Sequence, residues 1–521
     1  MVRISPATAS IVAIAVVCAL MLALPGRTFT SAFVNDLLIF LDGAHRVVWG
    51  QVPNRDFHTA LGPLTYYIPA LGYWISGRLG GAMPVGTALV ILAFVPVTLH
   101  VTRSRLSPAL AIPFAAFLFL LLAVPANLGD DLSSLSFAMF YNRLGWAALA
   151  LLVVMYLRPL RLSPRSELRD AACAAVLVLF QLYTKITYGV VAVGFLAFLL
   201  LDRDQRRWSA LALGLVFAAG ALIELVWHGT MAHVADLLAT ARVSGERNPV
   251  GFVHAALYNL TDIVLFVLLA CLAEWRAVRL LDVLFFLACL GTGLAILTQN
   301  AHAWGIITLY GGAVVAAELA LRRGQSPAPL PPAAADSRTS WSMRLGAPLL
   351  LLVLVLPGIG RHAAALSLHT FASVAGLGQP LGLEKFADVR FGRLWSPGDN
   401  GFSEAYVGSF AEGGAALASL DTPAERVLVL DFANPFSAGL GLKPPAGDNS
   451  WLHWGRNVDR DEHLAPESML ADVQVVLEPA IGINVAPLAA LYGPYIRDHF
   501  LLARQTDKWK VYVRPAPEEA D

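Results

Sequence analysis

The sequence predicts an all-α polytopic membrane bundle of about eleven transmembrane helices, followed by a C-terminal α/β domain outside the membrane. Three observations carry this. Hydrophobic residues make up 57% of the 521 residues and charged residues 14%, against roughly 25% charged in an ordinary soluble domain. Mean hydropathy is +0.62, and apolar runs of about 15 to 20 residues, near the length a membrane-crossing helix needs, recur along most of the chain. The zero net charge divides unevenly: residues 1–359 hold 24 Lys+Arg and 17 Asp+Glu, whereas residues 360–521 hold 13 and 20. With no basic excess to neutralise phosphates, the composition excludes nucleic acid as a partner.

The apolar runs lie near 8–25, 83–101, 108–125, 137–157, 171–184, 187–201, 209–227, 255–273, 280–298, 304–321 and 346–359. Short loops rich in arginine stay on the cytoplasmic side. Arg103 and Arg105, the quartet Arg158, Arg161, Arg165 and Arg169, then Arg203, Arg206 and Arg207, Arg276 and Arg279, and Arg322 and Arg323 mark such loops. All of them share a side with Arg3 only if the further apolar stretch 61–79 does not cross. Pro63, Pro69, Gly62 and Gly72 suit that stretch to an interfacial or re-entrant role. The N-terminus is then cytoplasmic and the tail periplasmic or extracellular, as in a multi-pass protein of a bacterial inner membrane. A cleaved signal peptide at 1–25 is the competing reading of the first run.

The domains follow: a bundle at 1–323 with its first outer loop at 26–82, a Pro-rich cytoplasmic linker at 324–345, a last span at 346–359, and a soluble domain at 360–521. Cys18, Cys173, Cys271 and Cys289 all fall in apolar runs, so no disulfide framework staples the tail. Within the tail, 426–430 and 473–477 read as buried strands, 499–504 and 509–513 as a closing hairpin, and 444–463 as loop.

Few residues are placed to carry chemistry. In 36–49, Leu37, Phe40, Leu41, Ala44, Val47 and Val48 recur at helical spacing, predicting an amphipathic helix flat on the membrane. Asp36 lies at its N-terminus, where the helix dipole favours a carboxylate; it reads as a cap or as a reactive group. Asp130 and Asp131 form an acidic pair in the second outer loop, serving a substrate, a cation or only solvation. Arg143 follows about two turns inside the next span. Lys185 is the only lysine among the first 359 residues. It interrupts the stretch 171–201, too short for two full spans and too long for one. A compact ammonium there suits a phosphate; snorkelling to headgroups is the bland alternative. His302 stands in the short turn Gln299–Trp304. No metal-ligand spacing and no nucleotide-cradling glycine loop is present.

Taken in order, these motifs resemble the GT-C superfamily of membrane glycosyltransferases, whose relatives include protein O-mannosyltransferases and the lipid A aminoarabinose transferase. The resemblance rests on Asn35-Asp36 after the first span, the helix 36–49, and the stretch from Arg55-Asp56-Phe57-His58 to Gly62-Pro63-Leu64-Thr65-Tyr66-Tyr67. Leu182-Tyr183-Thr184-Lys185 and the second-loop carboxylate at Asp130 or Asp131 complete it. The chain departs from many relatives in offering Asn-Asp where they carry two adjacent acids.

The resemblance implies an inverting transfer of a sugar from a polyprenyl-phosphate donor to an acceptor hydroxyl on a glycolipid, polysaccharide or glycan, at the outer membrane face. Asp36 would be the catalytic base. Lys185, with Arg143 or His302, would hold the phosphate, and Asp130 or Asp131 would orient hydroxyls. Arg55, Asp56 and His58 would line the substrate side of the first loop. No cofactor is implied, because the lipid-phosphate sugar is itself a substrate; a divalent metal is left open. Trp451, His453 and Trp454 would stack on sugars or simply pack the tail. A transporter or flippase of lipid-linked sugars, an oligosaccharide ligase and a non-enzymatic anchor are the rival functions.

Overall fold

The computed structural model describes residues 5–160, 164–244, 249–274, 279–299, 304–325, 337–395 and 400–515. Arg3, Arg161, Arg276, His302 and the prolines of the 324–345 linker lie outside these residues. Helices dominate the chain up to residue 375: α1 (Pro6–Ala23), α2 (Val34–Val48), α3 (Leu64–Ser76), α4 (Leu79–Arg105), α5 (Pro108–Ala123), α6 (Phe140–Val154), α7 (Pro164–Thr184) and α8 (Ile186–Leu199). After these come α9 (Arg206–Trp227), α10 (Thr230–Ser244), α11 (Pro249–Tyr258), α12 (Leu260–Glu274), α13 (Leu280–Leu297), α14 (Ile307–Gln325) and α15 (Ser337–Ala375).

Among the described residues, α1, α4, α9, α13 and the Gly346–Ala375 part of α15 are each long and apolar enough to cross a bilayer. The pair α11 and α12, bent by 72°, makes a sixth if it counts as one broken span. The runs at 108–125, 137–157 and 187–201 form α5, α6 and α8, of 16, 15 and 14 residues, below the ~20 that a straight crossing takes. The polytopic membrane class follows from the five or six long spans; the number eleven does not. The stretch 61–79 contains α3, whose 13 residues extend about 20 Å, short of the ~30 Å hydrocarbon layer.

Helix α6 runs through the middle of the bundle, every residue but Tyr141 buried. Lipid tails are as apolar as leucine, so association of such a helix depends on close packing rather than on expelling water. Its small residues Gly145, Ala147, Ala148 and Ala150 permit that approach. A Cβ on Gly145 would stand 2.5 Å from the Tyr188 ring.

The basic loops collect at one end of the bundle. There Arg105, fully buried, pairs with Asp170 at 2.7 Å, and His100 Nε2 meets the same carboxylate at 2.7 Å. Arg158 donates to Asp202 at 3.1 Å, and Arg322 donates to the Arg158 carbonyl at 2.9 Å. These contacts tie four separate connections together at that end.

The last helix overturns two expected boundaries. α15 begins at Ser337, inside the expected linker, and continues past 359 to Ala375. Gly358, Gly360 and Arg361 suggest a stop, yet the following turns stay helical because their histidines find places in the bundle. His362 and His369 are buried, their rings 6.0 Å from Phe117 and 5.4 Å from Phe137.

The tail follows as an α/β unit with β2 (Gln379–Pro380), β3 (Val389–Phe391), α16 (Asn400–Val407), α17 (Phe410–Ala418), β4 (Val427–Val429) and α18 (Phe436–Leu440). It ends with α19 (Pro466–Met469), β5 (Val475–Pro479), α20 (Val485–His499), β6 (Leu501–Gln505) and β7 (Trp509–Val513). One sheet has the order β4-β5-β7-β6, with β4 and β5 parallel and the other neighbours antiparallel. The other sheet joins the tail to the bundle. Strand β1 (Thr28–Thr30), just after α1, pairs in parallel with β3, Thr28 opposite Val389.

Candidate functional site

The site begins with α2. Phe33 adopts a left-handed conformation (φ 52°), turning the chain into the helix, and Asp36 falls in its first turn. The helix forms where its spacing predicts but does not lie flat on the membrane: Leu37, Phe40, Leu41 and Ala44 are buried against the bundle. The polar face meets the tail: Asp42, His45 and Arg46 are all buried. His45 Nε2 lies 2.7 Å from the Leu442 carbonyl. Arg46 donates to Asp42 at 2.7 Å and to both oxygens of Asp448 at 2.7 and 2.8 Å. The helix is therefore clamped between two protein surfaces.

Lys185 occupies the break between α7 and α8. Its backbone is extended (φ −155°) and caps α8. The Gly62-Pro63 turn of the first loop seats on this break, with Gly62 N donating to the Thr184 carbonyl at 3.1 Å and Thr65 Oγ1 to the same oxygen at 3.1 Å. Glycine is required there, since a Cβ would come within 2.2 Å of the Tyr183 carbonyl oxygen. From the break, Lys185 Nζ donates to Asn142 Oδ1 at 3.0 Å and lies 5.0 Å from the centre of the Tyr141 ring. Tyr188 Oη reaches the same Asn142 oxygen at 3.4 Å.

The third element comes from the tail. Arg456 donates from Nη2 to the Gln299 carbonyl at 3.3 Å, and the Gln299 side chain accepts from Thr187 Oγ1 at 3.2 Å, two residues beyond Lys185. The Arg456 charge bears on both Asp36 and Lys185. Among the described residues no hydrogen bond engages the Asp36 carboxylate. Burial pushes its pKa up to about 7, against a smaller opposing pull from Arg456. The arrangement gathers one buried carboxylate, Lys185 and Arg456 around Tyr141 and Asn142. Such a set can take a proton at one point while holding an anion at another.

No protein-family model matches the chain, and no curated protein matches it. Among solved structures it is similar to the crystal structure of ArnT from Cupriavidus metallidurans in the apo state, with 13% identity, a TM-score of 0.47 and 98% of each chain covered. A likeness at that level decides nothing about chemistry, which rests on the side chains themselves.

The other sequence-predicted residues fall elsewhere. Arg143 does not join Lys185. Its Nη1 donates to the Ala126 and Ala138 carbonyls at 3.0 and 3.3 Å, pinning the loop 124–139. Asp130 lines a small recess with Asn127, Trp304, Arg361 and His362. Burial raises its pKa, with Asn127, Arg361 and Arg143 acting in the opposite sense. Asp131 is a turn residue: Ser133 donates its hydroxyl at 2.6 Å and its amide at 2.8 Å, holding that carboxyl below the usual range. Asp56 accepts from Val52 N at 2.7 Å, and Arg55 pairs with Asp56 at 3.3 Å on the surface. His58 donates from Nδ1 to Asp236 of α10 at 2.7 Å. His302 lies outside the described residues. Among those residues, no three His, Cys, Asp or Glu side chains are grouped to hold a metal.

Sequence reasoning missed Tyr141, Asn142 and Arg456. Asn142 and Arg143 are adjacent on a helix buried all round, and only the first faces Lys185. The segment 444–463 drew notice for its aromatics, yet Trp451 is buried against Phe432 at 5.9 Å. The informative signal was Gly455-Arg456-Asn457, a turn tip carrying a cation.

Proposed function

We propose that this chain is an inverting glycosyltransferase that moves a sugar from a polyprenyl-phosphate donor to an acceptor hydroxyl, at the outer face of a bacterial inner membrane. The observation that supports this reading is that Asp36 and Lys185 both lie near Tyr141 and within reach of the Arg456 charge, the carboxylate without a hydrogen-bond partner among the described residues and the lysine anchored on Asn142. In the step, the acceptor oxygen attacks the anomeric carbon while its proton passes to Asp36. The bond from that carbon to the phosphate oxygen breaks, and its electron pair leaves with the phosphate. The leaving group departs as a stable anion, so it needs a cation more than an acid. Retention would require a nucleophilic carboxylate as well; among the described residues no second carboxylate bears on Asp36.

Orientation belongs to the same reading. The arginine-bearing loops gathered at one end of the bundle face the cytoplasm by the positive-inside tendency, which puts the opposite end and the docked tail outside. The finer count of about eleven crossings, with the N-terminus cytoplasmic, is part of this proposal.

The test is transfer from a polyprenyl-phosphate sugar by purified protein in lipid nanodiscs, followed as release of polyprenyl phosphate. Asp36→Asn, nearly isosteric, should abolish release while leaving the thermal transition in place. Turnover retained by that variant would remove Asp36 as the base.

A further inference from the structure

Arg456 is held with more care than a surface arginine needs. It sits at the tip of the turn 453–458, whose ends are tied by one side chain: Asn457 Oδ1 accepts from His453 N at 2.7 Å, and its Nδ2 donates to the Trp451 carbonyl at 3.0 Å. Gly455 takes a left-handed conformation (φ 73°) and donates to the Val458 carbonyl at 2.8 Å. Asn484, from the tail's own core, fixes the turn's base by donating to the Leu452 carbonyl at 2.8 Å and accepting from Trp454 N at 3.2 Å. A rigid base and a braced tip make an arm, and its guanidinium ends on the Gln299 carbonyl, in contact with the bundle.

Among the described residues that neutral carbonyl is the one acceptor it meets, which uses little of a guanidinium that offers five donors in a planar fork suited to two oxygens of an anion. Gln299 links Arg456 to Thr187, two residues beyond Lys185, so the tail brings Arg456 close enough for its charge to act on Lys185.

We propose that Arg456 is the second cation of the anion site: the tail's 453–458 arm closes over a monophosphate held at Lys185, so that docking of the C-terminal domain completes the site. This rests on the reading of the Lys185 pocket as a phosphate site. It gives the tail the role of supplying a binding group.

The test is binding of farnesyl monophosphate to the full-length protein in nanodiscs, by calorimetry, with farnesol and inorganic phosphate as comparison ligands. Arg456→Gln and Lys185→Ala should each weaken binding about tenfold to hundredfold, as expected for loss of a charge-assisted contact. The double variant should lose less than the product of the two, because both groups serve one ligand. Arg456→Lys should recover part of the affinity, keeping the charge without the fork. Loss with Lys185→Ala but not with Arg456→Gln would overturn this inference and leave the proposed function standing. Loss with Arg456→Gln alone would overturn the shared site, and loss with neither would overturn both readings. If Arg456→Gln does not fold, Arg456→Lys and Asn457→Ala (which loosens the arm) decide the matter: unchanged affinity in both overturns the inference.

Discussion

Arg46 and Asp448 form a bidentate ion pair, 2.7 and 2.8 Å long, between the first amphipathic helix and a tail loop, with neither side chain more than 1% exposed. Asp42 shares the same guanidinium at 2.7 Å, so two buried carboxylates depend on one cation. The two sides of this cluster are therefore not equivalent. Arg46→Met strands both carboxylates and should cost about 3–5 kcal/mol, as removing one partner of a buried pair does. Asp448→Asn leaves a neutral Asp42–Arg46 pair and should cost about 1–3 kcal/mol. Thermal unfolding in detergent would compare them; equal, small shifts would mean that the cluster does not hold the tail.

The pH dependence of turnover follows from Asp36. Its folded pKa, raised by burial to about 7 from an ordinary 3.8, keeps it protonated in acid, where it cannot accept the acceptor's proton. Turnover should therefore rise with pH through a midpoint near 7. Because the folded state holds that proton more tightly than the unfolded state, stability from this group is lost as pH climbs from about 3.8 through 7. Arg456 pulls the Asp36 pKa down, so Arg456→Gln should move the midpoint upward. A profile flat between pH 5 and 8, or a downward shift in the variant, would count against Asp36 as the base.

A second titration concerns the first loop. Its contact with α10 is His58 on Asp236, and that hydrogen bond is the largest influence raising the His58 pKa. A raised histidine stabilises fully below its ordinary value of 6.5 and loses that contribution as pH rises through the folded value. Hydrogen-exchange protection of residues 52–60, taken relative to the base-catalysed intrinsic rate, should fall on the alkaline side, and Asp236→Asn should abolish that fall. Protection independent of pH in the native protein would show that the histidine does not tie down this loop.

Topology has its own check. Asp421 in the tail has a side chain 98% exposed. An Asp421→Cys protein should react with a membrane-impermeant maleimide in intact spheroplasts. Reaction only after permeabilisation would reverse the orientation.

Much of this architecture was legible because it is local. The helical spacing in 36–49, the lone lysine where α7 gives way to α8, and the hydrophobic runs ending as β4, β5 and the β6–β7 hairpin are each written within a few residues. What failed to show is relational. Asn142 and Arg143 lie about 100° apart around α6, and on a helix buried all round no polar face marks which one looks toward Lys185. Arg456 meets the pocket only because the tail docks, and a strand as short as Thr28–Thr30 announces no partner far down the chain. The apolar run ends at 359, whereas α15 continues to Ala375 with His362 and His369 beside buried aromatics that the sequence does not place.

The pairing of β1 with β3 sets an order of events. Thr28–Thr30 leaves the ribosome early, and its strand partner exists only once residues 389–391 have been made; Arg46 waits longer still for Asp448. Throughout synthesis of the bundle the first loop carries an unmated strand edge and an incompletely matched guanidinium. In the site proposed above, Arg456 reaches Lys185 only after the tail, including Asn484 at the base of its arm, has been made. A chain that stops early, however well its helices insert, is left with a half-built pocket.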